Sequence, residues 1–153
     1  MYDTIYKIFP RFFYLKYPDD MIISAVSLLR SYTGNEDIAF TNYNSVQFID
    51  CGDGMEHIFC SWCGRELDIG FWQNAMDKAH DKAFNYLAFR TPCCNLSSSL
   101  DEIVYVKPCG FATFVIEVHN PKVVPTHMDL CEMGKVFGNT HFFRMISAHK
   151  NTE

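Results

Sequence analysis

Long apolar runs and an excess of basic charge are both missing from this sequence. Its longest apolar segment, residues 21–29, is interrupted by Ser24 and Ser27, whereas a membrane-spanning helix needs about 20 consecutive apolar residues. Residues 1–13 lack the apolar stretch and cleavage site of a secretory signal, so we expect a cytoplasmic protein with no membrane contact. The 18 acidic and 13 basic residues give a net charge of −5, which argues against a general nucleic-acid-binding protein.

Several catalytic signatures are missing as well. The sequence has no glycine-rich loop that could bind phosphate groups, and the serines at 97–99 lack the flanking glycines of a hydrolase nucleophile. None of the six histidines is paired with another at the four-residue spacing typical of metal-binding helices. No reaction is therefore predicted from the sequence.

The residues that are present predict one folded α+β domain over residues 1–153, with a mainly antiparallel sheet. Hydrophobic residues make up 48% and aromatic residues 16% of the chain, so its core should be rich in aromatic rings. Helical spacing predicts helices at residues 18–32, 68–83 and 125–137. Strand-like segments occupy residues 4–17, 46–51, 55–59, 84–90, 100–106, 111–119 and 142–149. The Cys-Gly-Asp-Gly sequence at residues 51–54 predicts a tight hairpin between two of these strands.

Seven cysteines are the most unusual feature of the composition. An odd number of thiols in a reducing compartment is typical of metal ligands, reactive groups or core residues rather than of disulfides. The segment Cys60-Ser61-Trp62-Cys63-Gly64 has the spacing of a zinc knuckle, in which glycine permits a tight turn around the metal. The segment Thr91-Pro92-Cys93-Cys94-Asn95 supplies a second pair, and 29 residues separate Cys63 from Cys93. Together these segments predict a knuckle subregion at about residues 56–98 that binds a structural Zn²⁺ through Cys60, Cys63, Cys93 and Cys94.

The adjacency of Cys93 and Cys94 leaves the ligand set open at this point. Neighbouring side chains of an extended strand point to opposite faces, so both thiols can reach one metal only if the chain turns sharply. Pro92 and Asn95 make such a turn possible. Otherwise the fourth ligand would be one of three other residues: His57, His80 or Cys109.

Two other interpretations of the cysteines are weaker. A thiol redox pair would place the first cysteine of Cys-x-x-Cys at a helix N-terminus, whereas here the next predicted helix begins near Asp68. Simple core burial would not explain two close pairs flanked by glycine and proline. Cys51 and Cys131 have no partner at ligand spacing, and we expect both to be core or partly buried thiols.

An ordered set of motifs runs from Val46 to Pro121. It comprises Val-Gln-Phe-Ile-Asp-Cys-Gly, Cys-Ser-Trp-Cys-Gly, Gly-Phe-Trp-Gln-Asn-Ala-Met-Asp-Lys-Ala, Thr-Pro-Cys-Cys-Asn, Ser-Leu-Asp-Glu-Ile and Gly-Phe-Ala-Thr-Phe-Val-Ile-Glu-Val-His-Asn-Pro. This order resembles a family of small bacterial proteins of unknown function that carry a zinc-ribbon-like Cys-x-x-Cys and Thr-Pro-Cys-Cys. The family usually has Pro and Gly where this chain has Ser61 and Asn95. The resemblance implies metal binding and a bacterial, cytoplasmic setting, and it implies no activity.

Three hypotheses of function follow. We favour a zinc-stabilised protein-interaction module with a protein partner, for which a toxin-neutralising immunity protein is an analogy. A zinc-dependent enzyme would need one of Cys93 and Cys94 to point away, leaving an open coordination position beside an acid such as Glu66 or Asp68. A zinc-ribbon nucleic-acid-binding protein would use Trp62 for stacking and Arg65 for phosphate, but the acidic net charge argues against it.

Overall fold

A four-stranded antiparallel sheet holds the long strands of the fold. The computed structural model describes residues 2–138 and 142–151. In chain order the strands are β1 (Tyr2–Pro10), β2 (Ile38–Ile49), β3 (Ile58–Phe59), β4 (Glu66–Leu67), β5 (Ala88–Arg90), β6 (Ser97–Ser99), β7 (Val104–Tyr105), β8 (Gly110–His119) and β9 (Phe143–Asn151). The helices are α1 (Asp19–Thr33), α2 (Ile69–Asp81) and α3 (His127–Gly134), and a 3₁₀ turn, Lys135–Phe137, follows α3. The large sheet has the order β2-β8-β1-β9, and the predicted α+β class with mainly antiparallel pairing is confirmed.

Strand β8 lies at the centre of this sheet region, which we define as β1, β2, β8 and β9 with α1 and α3. Phe114, Ile116 and Val118 are fully buried on one face of β8, as their alternation predicts. They pack into one apolar cluster with α1 and α3. Gly34, at φ 73°, ends α1, and its N–H donates to the Arg30 carbonyl at 2.8 Å.

Residues 58–105, here called the cysteine region, are built from much shorter elements. They form a three-stranded sheet of order β4-β3-β7 and a two-stranded ribbon of β5 and β6, with α2 between β4 and β5 in the chain. Asp68 begins α2 by accepting a hydrogen bond from the Phe71 N–H at 3.0 Å, as its position predicts. The apolar cluster of this region also contains Val46 and Phe111, so it packs directly onto the large sheet.

Several predicted elements are wrong in extent or pairing. The hairpin expected at residues 51–54 does not form, because β2 pairs with β8 and β3 pairs with β4 and β7. Strand β2 begins at Ile38, eight residues before its predicted start, and its register shifts between Asn42 and Gln47. The polar composition of that stretch concealed the strand. The serines at 97–99, which lie outside the predicted strands, form β6.

Two isolated cysteines differ in their surroundings. Cys51 is buried with Ile5 and Ala148, as expected. Cys131 is exposed, so its predicted burial is wrong. It lies one turn after His127 on α3, with its Sγ 3.5 Å from the imidazole Nε2. The inward positions of α3 belong to Leu130 and Met133 instead.

No helix within residues 2–138 and 142–151 combines the length and the apolar character that crossing a bilayer requires.

Candidate metal centre

The first cysteine turn connects β3 to β4. The Gly64 N–H donates to the Cys60 carbonyl at 3.0 Å, and the Cys60 N–H donates to the Arg65 carbonyl at 2.9 Å. Gly64 closes the turn at φ 74°, where a residue with a Cβ would be strained. The Trp62 N–H points at the Cys60 Sγ from 3.4 Å. The tight turn predicted at the end of a strand is therefore present, on a hairpin of two-residue strands.

The second cysteine turn connects β5 to β6 and repeats the hydrogen bonding of the first. The Asn95 N–H donates to the Thr91 carbonyl at 2.9 Å, and the Thr91 N–H donates to the Leu96 carbonyl at 2.9 Å. Asn95 closes the turn at φ 55°, a conformation that asparagine tolerates better than most residues. Thr91 thus occupies the position that Cys60 occupies in the first turn. Because the backbone curls here, Cys93 and Cys94 are not on opposite faces of a strand.

All four predicted cysteines lie together between the two turns. Their Sγ atoms lie within 4.8 Å of one another. The Cys60–Cys94 distance is 3.8 Å, the Cys93–Cys94 distance is 4.0 Å and the Cys63–Cys93 distance is 3.3 Å. Ligands at the usual Zn–S bond length in a tetrahedron are about 3.8 Å apart. The cluster can therefore hold a metal ion with little rearrangement.

The pKa values of two thiols of the cluster, Cys60 and Cys93, shift in opposite directions. Backbone N–H groups of Cys63 and Trp62 stabilise the Cys60 thiolate and lower its pKa to about 6. Desolvation, followed by hydrogen bonding with the neighbouring thiols, raises the pKa of Cys93 to about 12. Four thiolates so close together repel one another unless a cation lies between them, and a bound metal ion reverses this penalty.

The three reserve ligands lie outside the cluster. His57 is exposed, and its Nδ1 forms a 2.6 Å ion pair with Glu66 Oε1. His80 packs edge-on against the Phe84 ring at 5.7 Å. Cys109 is 3% exposed, and desolvation raises the pKa of its thiol to about 12. None of the three joins the group of close ligand atoms found among the described residues.

Thr91 is the residue of the site that the sequence did not reveal. Its Oγ1 lies 3.0 Å from the Cys94 Sγ and accepts the Leu96 N–H at 3.0 Å. The side chain is 2% exposed, so the hydroxyl orients a thiol from within the core. Aligning residues 60–65 with residues 91–96 would have suggested this role, since glycine and asparagine close both segments at the fifth position.

Side chains also link the two turns across the cluster. The Trp62 indole N–H donates to the Ser97 carbonyl at 2.9 Å. The Ser61 and Ser98 hydroxyls are 3.4 Å apart. Helix α2 begins only at Ile69, so Cys60 does not lie at the helix N-terminus that a thiol redox pair would favour.

Comparison with known proteins adds no relative: no family model, no curated protein and no solved structure matches this chain. The resemblance to small bacterial proteins stays a prediction.

Proposed function

We propose that the chain is a zinc-stapled protein-interaction module. One structural Zn²⁺ would be held by Cys60, Cys63, Cys93 and Cys94, and the folded cysteine region would present a surface to a protein partner. The observation that carries the proposal is the approach of all four Sγ atoms to within 4.8 Å. Two turns of two short hairpins provide little apolar packing by themselves, whereas a metal joins residues that are about thirty positions apart in the chain.

The ligand number favours a structural role for the metal. Catalytic zinc sites keep one coordination position for water or substrate, while closed sites of four thiolates do not. The open-site enzyme hypothesis requires Cys93 or Cys94 to point away, and both sulfur atoms lie in the cluster. Thiolates are ligands that zinc prefers, whereas magnesium and calcium prefer oxygen ligands. A set of four cysteines therefore supports zinc over magnesium or calcium.

Metal content tests the staple directly. We expect about one tightly bound zinc per purified chain, and four-sulfur coordination in X-ray absorption spectra. Cys63→Ser should lower the zinc content strongly. Cys131→Ser removes an exposed thiol outside the cluster and should leave the zinc content unchanged. Less than about half an equivalent of zinc, with all four thiols titrating freely, would contradict the proposal.

Exposed aromatic side chains of the cysteine region support the interaction role. Trp62, in the first turn, is 60% exposed and Tyr86 is 64% exposed. Aromatic residues are enriched at protein interfaces. A tagged chain should therefore recover a specific partner from its host, and this recovery should fall with Trp62→Ala. Met128→Ala, an exposed apolar change on α3 outside the cysteine region, is the matched control. Equal recovery by both variants would count against this surface.

A further inference from the structure

A groove lies between helix α2 and strand β5, beside the cysteine turns. Its volume is about 400 Å³, within the range of ligand-binding clefts. Phe71, Ala75 and Ala79 line it at the spacing of one helical face. The Phe71 ring contacts Phe89 of β5 at 5.8 Å between centroids, so the two elements meet at one end of the groove.

The charge of the groove is opposite to that of the whole chain. Lys78, Lys82 and Arg90 line it, and no aspartate or glutamate does. Among the described residues, none of these three cations forms an ion pair. The Lys82 ammonium lies 5.9 Å from the centre of the Tyr86 ring. A cationic groove in a chain of net charge −5 favours an acidic occupant.

One side of the groove is strand β5, whose second edge is unpaired among residues 2–138 and 142–151. Within those residues, β5 pairs with β6 alone. The Leu100 N–H donates to the Leu87 carbonyl and the Thr91 N–H donates to the Leu96 carbonyl. The hydrogen-bonded pairs of the ribbon are therefore those of the odd-numbered residues Leu87, Phe89 and Thr91. It follows that Ala88 and Arg90, which both line the groove, direct their backbone groups away from β6.

We propose that this groove binds an acidic, extended peptide segment of a partner protein, which adds a strand to the free edge of β5. Apolar side chains of the peptide would contact the α2 face, and its carboxylates would lie near Lys78, Lys82 and Arg90. Strand addition of this kind obtains affinity from main-chain hydrogen bonds and specificity from side-chain pockets. This inference rests on the proposed function, because it names the chemistry of the partner.

The cysteine cluster lies close in the chain to both sides of the groove. Cys63 lies five residues before the α2 N-cap, and Cys93 lies three residues after the end of β5. The Arg90 guanidinium donates to the Asn95 side chain at 3.2 Å and to the Asn95 carbonyl at 3.1 Å. The second turn thus holds the Arg90 guanidinium at the end of β5. Metal removal should loosen the groove as well as the turns.

The probe is a short synthetic peptide that alternates glutamate with valine or phenylalanine. Its binding to the zinc-loaded chain is measured by calorimetry and by amide NMR shifts, which should be largest at Ala88 and Arg90. A peptide with lysine in place of glutamate should bind at least about tenfold more weakly. A peptide N-methylated at alternate residues should also bind more weakly, because it cannot complete the ladder.

Variants of the chain separate charge from strand addition. Lys78→Glu with Lys82→Glu should weaken binding roughly tenfold, since two attractions become repulsions. Ala88→Pro removes an N–H that has no partner within the ribbon, so it should fold and weaken binding by about twofold to tenfold. Lys16→Glu reverses an exposed lysine that does not line the groove, and it should leave binding nearly unchanged.

The outcomes distinguish this inference from the staple. A zinc-loaded chain that fails to bind the acidic peptide would overturn the inference alone. Peptide binding by a chain that never takes up zinc would overturn the staple and support the groove. Equal binding of the acidic and basic peptides would overturn the inference. Tighter binding of a single-stranded oligonucleotide at the same residues would also overturn it.

Discussion

The sheet region and the cysteine region contain similar elements but are held together differently. Strands in the sheet region run for 9 to 12 residues, whereas those in the cysteine region have two or three residues. The first region buries a cluster of fully covered apolar side chains around Phe114. The second has its own apolar cluster around Trp72, but its two turns converge on four thiols. An isolated two-stranded hairpin is only marginally stable, and a metal ion between the two turns would crosslink two such hairpins.

Metal removal should give the largest difference between the regions. Structural zinc contributes about 10–16 kcal/mol in small zinc peptides, which is comparable with the whole stability of a domain. With a chelator, we expect amides of residues 58–105 to exchange much faster, while those of β8 stay protected. Hydrogen-exchange mass spectrometry measures both. Restoring zinc should restore protection. Equal protection of the cysteine region with and without metal would contradict the inference that a metal stabilises this region.

A core truncation should give the reverse pattern. Phe114 is fully buried and contacts the Phe137 ring at 5.7 Å between centroids. Phe114→Ala should destabilise the fold by about 3–5 kcal/mol through lost burial and a cavity, with zinc content unchanged under folding conditions. Urea unfolding followed by circular dichroism measures the loss.

The tryptophans and an exposed ring provide the controls for this truncation. Both tryptophans, Trp62 and Trp72, lie in the cysteine region, so their fluorescence reports that region separately. Phe12→Ala, at a ring that is 39% exposed, should change stability by less than about 1 kcal/mol. If Phe114→Ala lowered the zinc content as strongly as Cys63→Ser, the cysteine region would depend on the core of the sheet region for its stability.

Two glycines permit a matched test of the comparison. Gly34 and Gly64 have φ of 73° and 74°, and a Cβ at either would meet no atom within 4 Å. Substitution by alanine should therefore cost the same backbone strain at both, about 1–2 kcal/mol. Gly34→Ala should lower the unfolding free energy of the sheet region. Gly64→Ala should instead weaken zinc affinity, by about fivefold to thirtyfold.

Competition with a chromophoric chelator measures zinc affinity in both glycine variants. We expect Gly34→Ala to retain the affinity of the unsubstituted chain. A loss of affinity in Gly34→Ala equal to that in Gly64→Ala would show that strain passes freely between the regions.

The sequence predicted the two regions unequally. Helix caps, glycine stops and the alternation along β8 are local signals, and they located α1, α2 and β8 closely. The cysteine spacing located the cluster, since ligand chemistry fixes which residues must meet. Long-range pairing was not readable from the sequence: the early part of β2, from Ile38 to Asn42, pairs with residues 114–118 of β8, far along the chain. The curl that brings Cys93 and Cys94 together depends on hydrogen bonds of Thr91, a role that only an alignment of the two turn segments would have suggested.

The smallest effect concerns an ion pair at the edge of the cysteine region. The hydrogen bond and charge of Glu66 raise the pKa of His57 above its ordinary 6.5, because both favour the imidazolium. The pair therefore stabilises the folded chain fully below pH 6.5, and the contribution is lost as pH rises through the folded pKa. Glu66→Gln should return the pKa of His57 towards its ordinary value in an NMR titration. Glu56→Gln, which removes a weaker charge influence on the same ring, should lower it less, and an equal shift in both variants would contradict the assigned partner.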